Sequence, residues 1–217
     1  LPNAGNGKRR QRYLQEWADA LREMAALEPA LLLPMHGPAM TEPAEIQNKL
    51  DVVASTFEAI TEQVTDGLNA GLRQDEVIAS VKLPAELENH PQLDTYYNTV
   101  ADVAKMGVRE YSGWWDGIPS HWSPATREAQ GRMIMELAGG AEGLVQRARE
   151  LMASDPALAS HLADWAFHAD PNNPAILQLG IDTYASRIQP GIPLQEINVY
   201  LSHIVELKWR LRQMAGR

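Results

Sequence analysis

Apolar residues recur at steps of three and four along most of this chain, so the pattern predicts a protein built mainly of helices. Between residues 7 and 28, Tyr13 or Leu14, Trp17, Leu21, Met24 and Leu27 form one stripe, which Glu28-Pro29 closes. Leu31-Leu32-Leu33 lies between Pro29 and Pro34 and is too short for a helix; it predicts a buried strand. A long helix then opens at Thr41, with Pro43 and Glu45 in its first turn. In it Ile46, Leu50, Val53, Phe57, Ile60 and Val64 alternate steps of four and three. This coiled-coil-like seam needs a long antiparallel neighbour, in the same subunit or in another. Gly67 and Gly71 end that helix, and Gln74-Asp75-Glu76 opens a short one that Pro84 stops. Pro91 to Ser112 reads as helical, with Leu93, Tyr97, Val100, Val103 and Val108 on one side and Tyr96 beside them.

Gly113-Trp114-Trp115-Asp116-Gly117-Ile118-Pro119 cannot continue a helix, and Trp122 and Ser123-Pro124 follow closely. Tryptophans clustered in a Gly/Pro loop are expected to bury much apolar area, as core packing, a subunit contact or the wall of an alkyl-chain pocket. Further helices are predicted over 125–137, over 141–153, from Asp155-Pro156 with Leu158, Leu162 and Trp165 inward, from Asn173-Pro174, and over 194–214. Helix pairs joined by Asp-Pro and Asn-Pro turns resemble tetratricopeptide-type hairpins, although too few fit for an array.

Composition narrows the chemistry. The net charge of −9 over 217 residues argues against general nucleic-acid binding, which needs a basic face. The one basic cluster, Lys8, Arg9, Arg10 and Arg12, reads either as a solvated face or as an anion site at a helix N-terminus. With no cysteine, disulfides and thiol catalysis are excluded, and a metal would fall to histidine and carboxylates. No apolar run approaches a membrane span. The chain starts with leucine in a loop-like stretch and is expected to be a piece of a longer protein. His36, in Pro34-Met35-His36-Gly37-Pro38, stands after the expected strand in a loop of unusual backbone. There it serves either as a metal-ligand imidazole or as a hydrogen-bonded structural residue. His161 and His168, with Asp164 between them, have a spacing that zinc can use and that ordinary surface histidines also show.

Several of these stretches together resemble the alkyl-sulfatase branch of the metallo-β-lactamase superfamily. They are Asn3-Ala4-Gly5-Asn6, Arg12-Tyr13, Trp17, Leu33-Pro34-Met35-His36-Gly37-Pro38 and Tyr111-Ser112-Gly113-Trp114-Trp115-Asp116-Gly117. The chain departs from that branch at Asn6-Gly7-Lys8, where its members carry a Leu-Arg-Gly run. The resemblance implies a mainly α protein in two parts. Residues 1–40 would be the C-terminal helix-strand edge of an α/β metallo-β-lactamase sandwich, and residues 41–217 an all-α dimerisation domain. It implies a binuclear zinc hydrolase that cleaves a small-molecule sulfate ester with a metal-bound hydroxide, with His36 as one metal ligand and Arg12 and Tyr96 as sulfate-binding residues. The other ligands would lie in an N-terminal catalytic portion of the same enzyme, so this chain is expected to be inactive alone and to form a homodimer. The alternative is a non-catalytic helical dimerisation or interaction module.

Overall fold

A computed structural model describes residues 1, 3–5 and 10–216, which hold ten α-helices and two short 3-10 turns. They fall into two compact units, Leu1–Trp122 and Ser123–Arg217.

In the first unit, α1 (Leu14–Ala26) and α5 (Val100–Tyr111) pack against the long α2 (Pro43–Asn69), with α3 (Gln74–Ser80) on α5 and α4 (Ala85–Glu88) following. The α2 seam behaves as its spacing predicts: Ile46, Leu50, Phe57, Ile60 and Val64 are buried, and Val53 is packed at the edge of the core. Its neighbours come from this chain. Phe57 meets Trp17 of α1 at 4.8 Å between ring centroids, and Val64 lies under Gly107 of α5, where the missing side chain lets the two helices close up. Each large side chain so buried contributes about 1.5–3 kcal/mol by removal of apolar surface from water. Arg22 ties α1 to α2 from outside the core. Its guanidinium forks onto Glu58 at 2.7 and 2.9 Å, and reaches Asp51 at 2.9 Å and Ser55 at 2.8 Å.

Three expectations are corrected in this unit. Helix α1 begins at Leu14; of the residues before it, 6–9 lie outside the described set, so Asn6-Gly7-Lys8 and two members of the basic cluster do as well. Its buried side is Leu14, Ala18 and Ala25, while Met24 and Leu27 are exposed. Leu31-Leu32-Leu33 is not a buried strand: Leu31 and Leu33 are exposed, and no strand forms among the described residues. A strand needs a partner for its backbone groups, and the one this chain offers is a single antiparallel bridge, Leu32 to Met40, with both N–H···O distances at 2.9 Å. Finally, Pro91–Ser112 is not one helix. A 3-10 turn over Pro91–Leu93 leads into an irregular loop, and α5 starts only after Thr99. The Thr99 hydroxyl accepts from the Asp102 N–H at 3.1 Å while the Asp102 carboxylate accepts from the Thr99 N–H at 3.0 Å, a capping box that sets the helix start.

In the second unit, α6 (Arg127–Leu137), α7 (Ala141–Leu151) and α9 (Pro174–Arg187) pack around α8 (Pro156–Ala169), and α10 (Leu194–Ala215) packs on α9. The Asp-Pro and Asn-Pro turns start helices as expected: Asp155 accepts from the Leu158 N–H at 2.8 Å and Asn173 from the Ala175 N–H at 3.0 Å. Leu158, however, is exposed, and the buried side of α8 is Ala159, Ser160, Ala163 and Ala166. Small residues there let α6 approach so closely that a Cβ on Gly131 would stand 2.4 Å from the Trp165 carbonyl oxygen. Asp164 accepts from the Tyr184 hydroxyl at 2.6 Å, which ties α8 to α9. Among the described residues no group of three or more histidines and carboxylates could hold a metal, so the His161–Asp164–His168 spacing does not assemble a site.

Candidate functional site

The sequence points to Arg12, His36 and Tyr96, and the structure shows what holds each. Asn3-Ala4-Gly5 is a tight turn: the Asn3 carboxamide accepts from the Gly5 N–H at 3.1 Å, and Gly5 has φ +111°, open to glycine and strained for other residues. A Cβ at Gly5 would also stand 3.2 Å from the Met106 sulfur. Asn98, only 2% exposed, locks this turn down by accepting from the Ala4 N–H at 3.1 Å and donating to the Gly5 carbonyl at 3.4 Å. The exposed Arg12 donates from its guanidinium to the Asn3 carbonyl. Arg12 and the loop of Tyr96 are thus anchored on the same three residues, from opposite ends of the first unit's sequence.

Tyr96 lies in the loop before α5 and not on a helix; it is 62% exposed and meets Tyr97 edge to face at 4.7 Å. Gln11 adds to the anchoring, donating to the Met106 carbonyl of α5 at 3.0 Å. The N-terminus of α1 is already served, because the Leu14 N–H donates to the Glu110 carboxylate at 3.0 Å.

His36 is exposed at the tip of the loop that the Leu32–Met40 bridge closes, beside Gly37 at φ +93°. Leu32 and Met40 pack on Ala25, Ile46 and Leu50, so the loop is fixed at its base to α1 and α2. Among the described residues no hydrogen bond or ion pair joins His36 to Arg12 or Tyr96.

The tryptophan loop is a second feature, and its geometry removes core packing from the expected roles, leaving a subunit contact or the wall of an alkyl-chain pocket. Trp114, Trp115 and Trp122 are 74%, 41% and 62% exposed. They pack on one another, Trp122 lying tilted against Trp114 at 5.1 Å between centroids and meeting Trp115 edge to face at 5.7 Å. The backbone beneath them is fixed. The Gln74 carboxamide nitrogen faces the Ser112 hydroxyl, the Gly113 carbonyl and the Trp115 carbonyl at 2.9–3.2 Å, and its two hydrogens serve these three acceptors. The Trp115 indole donates to the Ile118 carbonyl at 3.1 Å, and the Ile118 N–H returns to Asp116 at 3.0 Å. His121 Nδ1 stands 2.6 Å from the other Asp116 oxygen, and this contact, with the Ile118 N–H, holds the Asp116 carboxyl below its usual range. Neither Gln74 nor Asn98 was foreseen as a site residue. Both act through partners far away in sequence, which no local pattern marks.

Comparison with known proteins places these features in a family. The chain is 24% identical over 197 residues to the linear primary-alkylsulfatase of a Pseudomonas species, covering 90% of this chain and 37% of that protein. It is 25% identical over 205 residues to the alkyl/aryl-sulfatase BDS1 of Saccharomyces cerevisiae, covering 89% and 30%. It therefore spans about a third of the length of these curated relatives. The solved structure of the stereoselective inverting sec-alkylsulfatase Pisa1 from Pseudomonas superposes with a TM-score of 0.84 at 22% identity, covering 90% of this chain and 32% of that one, a likeness of fold. The sequence profile described as "Alkyl sulfatase dimerisation" matches residues 73–209, more than half of the chain, and the protein belongs to that family.

Proposed function

We propose that this chain is the C-terminal, dimerising part of a zinc-dependent hydrolase resembling alkyl sulfatases, and that its partner is a second copy of itself. On this reading residues 1–40 are the end of a metallo-β-lactamase-like catalytic domain, and residues 41–217 the helical dimerisation domain with its tetratricopeptide-like hairpins. The packing unit Leu1–Trp122 then joins the end of one domain to the start of the next. The observation that carries the proposal is the reach of the alignment. Coverage of 90% of the chain is more than residues 73–217 could supply, so the likeness to a sulfatase extends into residues 1–40 far enough to take in His36.

A single exposed imidazole does not make a zinc site, which takes three or four protein ligands. His36 would be one ligand of a binuclear zinc centre, the rest coming from a catalytic portion outside this sequence. Zinc bound there would supply Lewis-acid activation of water and of the ester. The contribution of this chain is to hold the sulfate group. The guanidinium of Arg12 would bind the ester's anionic oxygens, and the Tyr96 phenol would donate a hydrogen bond to an oxygen on which charge grows during cleavage. The 217-residue chain by itself should hydrolyse no alkyl sulfate.

The second reading is a non-catalytic dimerisation module; neither reading expects a complete metal site in this chain, and among the described residues no group of three or more histidines and carboxylates could hold a metal. The gene decides between them. A His-x-His-x-Asp-His run encoded upstream of Leu1 supports the hydrolase, and a gene without one leaves the module alone. Both readings require a dimer, so light scattering of this chain that shows a monomer at high concentration would count against both.

A further inference from the structure

We propose that the loop of residues 112–122 is the anchor through which a second copy of this chain docks, with Trp114 and Trp122 as the residues that carry the contact. This rests on the dimerisation reading above and deepens it by naming the surface. Of three indoles within nine residues, Trp114 and Trp122 are left largely in water and Trp115 partly so, an arrangement that costs free energy unless something covers it. Scaled by their exposure, they offer about 400 Å² for burial, roughly half of what each partner contributes to an interface of standard size.

The loop is also preformed. Gln74, the Asp116–His121 contact and the Trp115–Ile118 bond fix its backbone, and the rings already pack on one another, so little conformational freedom is lost when a partner arrives. The whole loop falls inside residues 73–209, the span of the dimerisation profile, and Arg73 and Gln74, which support it, stand at the start of that span. Another exposed apolar stripe, Leu201, Val205 and Trp209 on α10, is mainly aliphatic, with one tryptophan against the loop's three. Tryptophan is enriched among residues that dominate binding energy, whereas leucine and valine are under-represented there. Charge points to the same kind of contact: two copies at −9 each repel, so their association has to come from apolar burial.

The test is sedimentation velocity of the 217-residue chain over a concentration series up to about 100 µM, well above a micromolar dissociation constant. Wild type should be a dimer that tightens as salt is raised, because screening removes the repulsion. The double variant Trp114→Ser/Trp122→Ser should weaken the dimer by about 100-fold or more while leaving the far-UV circular dichroism unchanged, since both rings are exposed. Gln74→Ala, which keeps the indoles and frees the loop, should weaken it by about tenfold. A serine variant that dimerises like wild type overturns the assignment of this loop and leaves the dimerisation reading standing. The same holds if a dibrominated alkyl maltoside quenches the indoles of a dimer that stays intact, which would make the loop an alkyl-chain site. A monomeric wild type overturns both.

Discussion

Replacing Asn98 by alanine should release the N-terminal turn from the first unit. The side chain is 2% exposed and makes two bonds to that turn, one from the Ala4 N–H at 3.1 Å and one to the Gly5 carbonyl at 3.4 Å. The second is long and counts for little. The first matters because Ala4 is fully buried, so its N–H would be left without a partner and without water. Removing one side of such a bond costs about 1–3 kcal/mol, and we take about 2 kcal/mol. With an unfolding entropy near 2.1 cal/mol/K per residue, the unit Leu1–Trp122 should melt about 8 °C lower. If the turn instead peels away before the helices open, the melting shift shrinks, and the effect appears as faster hydrogen exchange at Ala4 and Gly5. Calorimetry and exchange together read both outcomes. An unchanged melting transition with unchanged protection at Ala4 would refute the anchoring role of Asn98. On the hydrolase reading proposed above, the same substitution in a protein carrying the catalytic portion should lower sulfate-ester turnover, because Arg12 is tied to Asn3 within the released turn.

Four other outcomes follow from the packing. The Arg22 guanidinium holds the Glu58 carboxyl below its usual value, so Glu58 contributes stability above the unfolded-state pKa and loses it as pH falls through the lower folded-state one. Both side chains are more than a third exposed, so Glu58→Gln should cost at most about 1 kcal/mol at pH 7, and urea titrations of variant and wild type should draw together as pH falls through the lowered Glu58 range. Gly131→Ala should destabilise the second unit by about 1–3 kcal/mol, because its Cβ would meet a backbone carbonyl at 2.4 Å. Gly180→Ala meets only the end of the flexible Leu207 side chain at 2.6 Å and gains about 1 kcal/mol in helix propensity, so its chemical-denaturation midpoint should stay near wild type. Tyr184→Phe should cost about 1–2 kcal/mol in the same assay, since Asp164 loses the hydroxyl that donates to it at 2.6 Å.

The helices were legible in the amino-acid order because their causes are local. The seam from Ile46 to Val64 lies in a helix observed over Pro43–Asn69, and the stretch read as 194–214 is a helix over Leu194–Ala215. Asp155 and Asn173 act as caps because a short side chain beside a helix start can reach a free N–H whatever the rest of the protein does. The break before α5 was legible too, in the Thr99-to-Asp102 spacing of a capping box, but the apolar stripe through Leu93 and Tyr97 concealed it.

The tertiary structure decided whatever depends on a partner distant in sequence. Three leucines become a strand only beside another strand, and among the described residues one bridging residue, Met40, is supplied. The α2 seam was open to a neighbour from either subunit until Trp17 and Gly107 were found against it. Arg12 and the Tyr96 loop share an anchor only because Asn98 reaches back across the fold to Ala4. Hydrophobic periodicity carries the direction of one element's buried face and nothing about what covers it, so the helices could be read residue by residue while the site and the exposed indoles had to be found in three dimensions.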